Sequence, residues 1–302
     1  MKICIYGAGA IGGYLGVQLA RTGADVSLVA RGAHLAAMRE RGLRVESALG
    51  NLQIKALAHE RPEDIGPVDY VVFAVKLADV ASAAERLRPL LHERTLVLCF
   101  QNGVEAAEIV ARGIGPQHAR PGVAYIASAI GAPGVVRHTG TMQRLQVGPG
   151  AERFVAACKE AGINIEPVDD LERARWEKFV FLAALSGVTT VARAPVGVCR
   201  ADPELRGTFE AAMTEAWRLG RKRGVKLADD FIAERMKFLE GLPAEMRTSM
   251  QHDLEAGKPL EAPWLCGAVV RMSAQAGLEA PVNRTLYAAL KPFLHGSAGA
   301  PR

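Results

Sequence analysis

The chain has 302 residues, 49% of them hydrophobic, which is enough for two domains of ordinary size with substantial cores. Its formal charge of +5 arises from 37 basic residues interleaved with 32 acids, a balance that draws small anions but lacks the clustered basic stripe of a nucleic-acid binder. No apolar run reaches the roughly twenty residues of a bilayer span, the first apolar run is too soon broken by glycines to be a signal peptide, and Cys4, Cys99, Cys158, Cys199 and Cys266 have neither disulfide nor zinc spacing; a reduced, cytoplasmic protein without bound metal is expected.

Residues 2–6 form a short apolar run, followed at once by Gly7-Ala8-Gly9-Ala10-Ile11-Gly12 and an Ala/Leu-rich stretch at helical spacing through Thr22. Strand, glycine turn, helix is the order of a dinucleotide-binding unit. Gly7 permits the tight turn, Gly9 lets a pyrophosphate approach the backbone, Gly12 lets the helix lie close on the strand, and the helix N-terminus offers N–H groups to phosphate. Three glycines at this spacing are common by chance; the preceding strand and a second apolar run at 26–30 carry the reading. Where an acid would receive the ribose 2′-hydroxyl of NAD, this chain has Arg31, with no acid before Glu40. A guanidinium suits the 2′-phosphate of NADP, unless Arg31 is one more solvated arginine.

Residues 34–41 read as a short helix, 43–57 as a pair of strands around a Gly50-Asn51 turn, and 69–75 as a parallel strand covered on both faces. Lys76, at the C-terminal end of that strand, is placed to meet a cofactor phosphate or ribose, or else to be solvated. A helix over 80–91, a strand over 95–100 and a helix over 105–111 follow. Between the last two, the Asn102 amide suits a nicotinamide ribose or a substrate carbonyl, or simply serves the turn. Glycines divide the next segment into three short strand candidates, 122–132, 134–139 and 145–148; a helix over 152–161 and a strand over 163–168 close an N-terminal domain of residues 1–168.

Residues 169–302 carry no convincing strand. A long helix over 171–191 is apolar at every position from 179 to 185, and Lys178 begins that run. A lysine withdrawn from water loses solvation of its charged form and becomes a candidate proton donor near neutrality, unless its stem snorkels to the surface. Helices over 208–223, 229–240 and 244–256 follow, and Glu261 lies in a connection just before Pro263, facing a ligand or water. Arg271 and Arg284, in the terminal helices, carry no specific signal. The expected fold class is α/β: an N-terminal Rossmann-type doubly wound parallel sheet with a C-terminal all-α domain.

Gly7 to Gly12, Arg31, Lys76, Asn102-Gly103, Trp176-Glu177-Lys178, Thr248-Ser249-Met250 with Asp253, Glu261 and Ala280-Pro281 stand in an order and at intervals that resemble the ketopantoate reductase (2-dehydropantoate 2-reductase) family almost end to end. The resemblance implies an NADP-binding domain, a helical domain and a substrate cleft between them. Carried over by position, it makes Lys178 the proton donor to the ketone oxygen, with Glu261 orienting the nicotinamide ribose and helping to bind substrate. Gly7, Ala8, Gly9, Ala10, Ile11, Gly12, Arg31, Lys76, Asn102, Ala127 and Glu261 would meet the cofactor. Asn102, Lys178, Ser186 and Ser249 would meet the substrate, Ser249 at its carboxylate.

The implied reaction is NADPH-dependent reduction of a small 2-keto acid, with 2-dehydropantoate to pantoate, in pantothenate biosynthesis, as the leading case; a homodimer through the helical half is a further expectation. Departures concern the substrate. Leu182, Ser186 and Val196 stand where the family usually has asparagine, and Pro263 and Cys266 replace polar positions after Glu261. Lost hydrogen-bond donors relax or redirect specificity, so a less polar 2-keto acid is an alternative. An NADP-binding sensor without turnover is another, against which the joint retention of Lys178 and Glu261 argues.

Overall fold

In the computed structural model, which describes residues 1–55 and 57–296, the chain divides into two units: residues 1–101 with 105–171, and residues 102–104 with those from Glu172 onward. The first unit runs β1 (Lys2–Tyr6), α1 (Ala10–Ala20), β2 (Asp25–Val29), α2 (Gly32–Arg41), β3 (Leu43–Ser47), β4 (Leu52–Ile54), β5 (Leu57–His59), β6 (Tyr70–Phe73), α3 (Val80–Glu85), β7 (Leu96–Cys99), α4 (Ala106–Ile114), β8 (Ala119–Ala132), β9 (Val135–Val147), α5 (Glu152–Glu160) and β10 (Asn164–Pro167).

Six of these strands lie parallel in the order β5-β2-β1-β6-β7-β8, with Ile3 in register with Val26 on one side and Tyr70 on the other. This is the doubly wound order. The direction of winding reverses between β1 and β6, and ligands of such sheets collect beyond the C-terminal ends of the strands at that point. Both faces are covered. Ile3, Ile5, Tyr70, Val72 and Leu98 share a core with Leu15, Leu19 and Phe154, while Cys4, Val71, Phe73, Val97 and Cys99, pointing the other way, are buried as well. That double burial is why these strands read as continuous apolar runs rather than alternating ones.

The first unit departs from expectation in three places. The three short strands expected after residue 122 are two long antiparallel ones, β8 and β9, because residues 139–142 form a bulge instead of a break: Ser128 pairs with His138 but Ile126 with Gln143, and the Met142 carbonyl accepts from His138 Nε2 at 2.9 Å. The helix expected over 80–91 ends at Glu85, since the ring of Pro89 would strike the Glu85 carbonyl, and a 3₁₀ turn at Arg88–Leu90 replaces its last turn. β5 was not foreseen as a strand of its own. Three residues long, it pairs parallel with β2 at one edge of the sheet, whereas β3 and β4 form the expected hairpin.

The second unit contains α6 (Leu171–Ala192, Leu171 itself grouping with the first unit), α7 (Val196–Ala201), α8 (Pro203–Lys222), α9 (Phe231–Glu240), α10 (Ser249–Glu255), α11 (Cys266–Gln275) and α12 (Pro281–Leu290), and no strand among the described residues. α6 is its axis: Phe179, Val180, Ala183, Ala184, Leu185 and Val188 sit in one core with residues of α8, α9 and α11, and Trp176 meets Phe179 edge to face at 5.3 Å. α10 begins later than expected. Residues 244–246 accept instead from the first N–H groups of α7, Gly197 N to Ala244 O at 2.8 Å and Val196 N to Met246 O at 2.9 Å, and Thr248 then caps α10 by accepting from Gln251 N. The N-terminus of α12 is capped from another helix, with Glu215 of α8 accepting from Val282 N at 2.8 Å and Asn283 N at 2.9 Å. Among the described residues no helix is long and apolar enough to cross a membrane.

Candidate active site

In the first unit the glycine turn joins β1 to α1. Gly7 takes φ +97°, and the N–H groups of Gly7 and Ala8 both donate to the Val29 carbonyl of β2, at 3.1 and 2.8 Å. A Cβ on Gly12 would collide with the Gly7 carbonyl and stand 3.0 Å from Ile5, so the close seat of α1 on β1 excludes any larger residue. Around Gly9 there is space: among the described residues, a Cβ there would find its nearest neighbour, Ile130 Cδ1, at 3.9 Å. α1 has no side-chain cap, and its first internal bond is Gly13 N to Gly9 O at 2.8 Å. The N–H groups of Ala10, Ile11 and Gly12 therefore precede the helical ladder and are suited to an anion.

Arg31 caps α2 in extended conformation with an exposed side chain, paired with Asp79 at 2.8 Å. Lys76 is exposed just past β6, whose end packs on the glycine turn, since a Cβ on Gly7 would lie 2.8 Å from Val75 N. Ala127 is exposed on β8. His34, in the first turn of α2, has no recognisable motif in the sequence, yet it touches the glycine turn: its Nε2 lies 2.9 Å from the Ala8 carbonyl and its Nδ1 accepts from Gly134 N at 3.0 Å. Burial lowers its pKa, opposed by the Ala8 hydrogen bond.

The second unit assembles three polar groups from distant parts of the chain. Lys178 Nζ donates to Asn102 Oδ1 at 3.0 Å, and Asn102 Nδ2 donates to Glu261 Oε2 at 3.3 Å. Burial pushes the Lys178 ammonium down to about 8 from an ordinary value of 10.5, and the Glu261 carboxylate works against that fall. The short segment bearing Asn102 is held at two further points. Arg175, one turn before Lys178 on α6, is itself buried; it donates to the Val104 carbonyl and pairs with Glu172 Oε2 at 2.6 Å. Gly103, at φ +80°, passes so close to the second unit's 3₁₀ turn that a Cβ would stand 3.0 Å from the Trp264 carbonyl. Glu261 immediately precedes that turn, Ala262–Trp264, which Pro263 helps to start. Sequence reading passed over Arg175 because an arginine beside a glutamate on a helix is ordinary; its grip on a carbonyl 71 residues away is visible only in the fold.

The remaining expected substrate residues do not join this trio. Ser249 is exposed at the start of α10, and Leu182, one turn beyond Lys178, is half-buried. Ser186 is 1% exposed in the α6 core, and Val196 is fully buried. Chemically, the trio is a partly desolvated ammonium, oriented by an amide and countered by a carboxylate, with a pKa near enough to neutrality to give up a proton.

Comparison with known proteins relates both units to one family. The family described as Ketopantoate reductase PanE/ApbA matches residues 3–152, and the family described as Ketopantoate reductase PanE/ApbA C terminal matches 170–293. A 2-dehydropantoate 2-reductase of Mesorhizobium japonicum is 32% identical, the alignment covering 89% of this chain and 90% of its own. The crystal structure of a PanE/ApbA family ketopantoate reductase from Ralstonia eutropha JMP134 matches with a TM-score of 0.91 and 34% identity, covering 97% of this chain and 98% of that one. A ternary structure of D-mandelate dehydrogenase shares the fold, with a TM-score of 0.88 at 20% identity over 97% of each chain. The chain belongs to the ketopantoate reductase family of oxidoreductases.

Proposed function

We propose that this protein reduces a small 2-keto acid to the 2-hydroxy acid at the expense of NADPH, with 2-dehydropantoate as the leading substrate and pantoate as its product. The observation that carries the reading is the Lys178–Asn102–Glu261 chain, in which an ammonium with a pKa of about 8 donates to an amide that in turn donates to a carboxylate. Support for the cofactor comes from the uncapped start of α1, the room at Gly9, and Arg31, whose exposed guanidinium matches a 2′-phosphate. The share of the neighbouring 2-dehydropantoate 2-reductase that this chain covers, 90%, supports an activity of the same class.

NADPH, when bound, supplies the hydride that the carbonyl carbon accepts. Lys178 stabilises the negative charge growing on the ketone oxygen and passes its proton to it, leaving a neutral amine that solvent reprotonates. Asn102 fixes the ammonium in place, and through its Nδ2 keeps the Glu261 carboxylate oriented. Glu261 holds Lys178 charged against the pull of burial, so that enough ammonium survives at neutral pH to act. Lys76, Asn102 and Ala127 are assigned to the cofactor and Ser249 to the substrate carboxylate.

A second substrate reading rests on Leu182, Ser186 and Val196. An aliphatic side chain one turn past the proton donor, with the other two positions buried, favours a 2-keto acid that carries fewer hydroxyls than 2-dehydropantoate. Mixing the protein and NADPH with 2-dehydropantoate and with a series of branched 2-keto acids, and following the absorbance of the reduced nicotinamide, tests both. Oxidation with 2-dehydropantoate at the highest kcat/KM supports the first; a preference for an unhydroxylated acid supports the second. No oxidation with any of them would leave a nucleotide-binding protein without turnover and overturn the proposal.

A further inference from the structure

A trans peptide has a carbonyl on one side and an N–H on the other, and either can face a ligand when a loop is loose. In a loop that receives an anion this freedom matters, because a carbonyl oxygen turned toward phosphate repels it while an N–H attracts it. The glycine turn of this protein contains the Ala8–Gly9 peptide immediately before the open position at Gly9 and the uncapped start of α1. Its Ala8 end is tethered twice, by the Ala8 N–H to the Val29 carbonyl of β2 and by the Ala8 carbonyl to His34 Nε2 of α2.

The second tether has a defined direction. Gly134 N–H donates to His34 Nδ1, so Nδ1 is the unprotonated nitrogen; Nε2 must carry the hydrogen and donate to the Ala8 oxygen. Gly134 is in turn fixed, its carbonyl accepting from Arg44 N of β3 at 2.9 Å. One imidazole thus spans from the β8–β9 turn to the glycine loop, and all the groups involved belong to the first unit. We propose that His34 is a positioning residue for nucleotide binding: it anchors the Ala8 carbonyl away from an incoming phosphate and turns the Gly9 N–H to the opposite side. The inference rests on the reading of the glycine turn as a dinucleotide site, and adds to it the residue that sets the turn's shape before a nucleotide arrives.

Two side chains separate the halves of the imidazole's role. In His34→Gln the amide nitrogen lies as many bonds from the backbone as Nε2 and still reaches Ala8; in His34→Asn the side chain ends where Nδ1 stands and reaches Gly134 alone. The measurements are the Kd of NADPH, by titration of protein fluorescence in wild type, His34→Ala, His34→Gln and His34→Asn, and amide hydrogen exchange over residues 8–12 without nucleotide. The expected result is a Kd raised about tenfold or more in His34→Ala and His34→Asn, consistent with a lost hydrogen bond of about 1.4 kcal/mol. His34→Gln should recover most of the affinity, and exchange at residues 8–12 should quicken in the Ala and Asn variants but not in Gln. A Kd unchanged in His34→Ala, or Gln and Asn variants equally impaired with a lowered melting temperature and unaltered exchange at 8–12, overturns the proposal. If wild type binds no NADPH, the dinucleotide reading fails and the proposed binding role falls with it, while the exchange measurement still decides whether His34 braces the turn.

Discussion

Replacing Lys178 by Met keeps an unbranched side chain one atom shorter and removes its charge. The fall of the lysine from 10.5 to about 8 corresponds to about 3 kcal/mol held against the ammonium by burial, net of what Glu261 returns. At pH 7 such a group has about ten charged copies for each neutral one, and at pH 9 the ratio is inverted. If the charged form is the proton donor, kcat/KM for keto-acid reduction is level below about pH 7, bends near pH 8 and drops tenfold per pH unit beyond. Lys178→Met then loses about 10²- to 10⁴-fold in kcat/KM, or about 3–5 kcal/mol of barrier, and its residual rate no longer bends near pH 8. Glu261→Gln removes the carboxylate that opposes desolvation, so the bend moves to lower pH. The assay is initial-rate oxidation of NADPH across pH 6 to 10.5 with substrate below saturation. A wild-type profile that stays level to pH 10, or a Met variant within tenfold of wild type, would refute the assignment of Lys178.

Lys178 also carries a cost in stability with a definite sign. Its folded pKa is depressed below the unfolded 10.5, so the penalty is fully present below about pH 8 and fades as the pH rises to 10.5. Taking about 3 kcal/mol for the ammonium and subtracting about 1 for the lost bond to Asn102, Lys178→Met should be about 2 kcal/mol more stable at pH 7 and gain nothing above pH 10.5, as read by thermal or denaturant unfolding at both pH values. A lower melting temperature for the variant at pH 7 would contradict this. Gly12→Ala drives a methyl into the Gly7 carbonyl and against Ile5, and should cost about 3 kcal/mol together with NADPH binding; a melting curve like that of wild type would show that α1 can lift off β1 freely. Arg31→Ala should weaken NADPH by about ten- to a hundredfold and NADH much less, since a charge-assisted hydrogen bond contributes about 1.5–3 kcal/mol; equal weakening of the two would return Arg31 to its surface pair with Asp79.

The parts of this protein that were legible in its sequence are those set by neighbours along the chain. The β1–glycine–α1 passage can be read because Gly7 and Gly12 are demanded by atoms within a few residues or in the adjoining strands, and the parallel strands because burial on both faces leaves an uninterrupted apolar run. Where a local cue misled, a partner elsewhere had prevailed: the bulge in β9 let a strand continue past Gly140, and α7 drew residues 244–246 away from helix. β5 was too short, and its pairing with β2 too distant, to announce itself.

The candidate sites divide in the same way. By itself the sequence determined the strand–glycine turn–helix start of the first half, the helical nature of the second half, and that a lysine begins the most apolar stretch of α6. What tertiary structure alone decided is which polar groups that lysine meets, since Asn102 is 76 residues away from it and Glu261 lies 159 residues beyond Asn102. It also decided that Ser186 is enclosed, that Arg175 secures the Asn102 segment, and that His34 ties the glycine turn to a turn 100 residues distant. The physical reason is that periodicity and turn chemistry act over a few residues, whereas the pKa of an ammonium and the direction of a carbonyl depend on whichever atoms the completed fold packs around them.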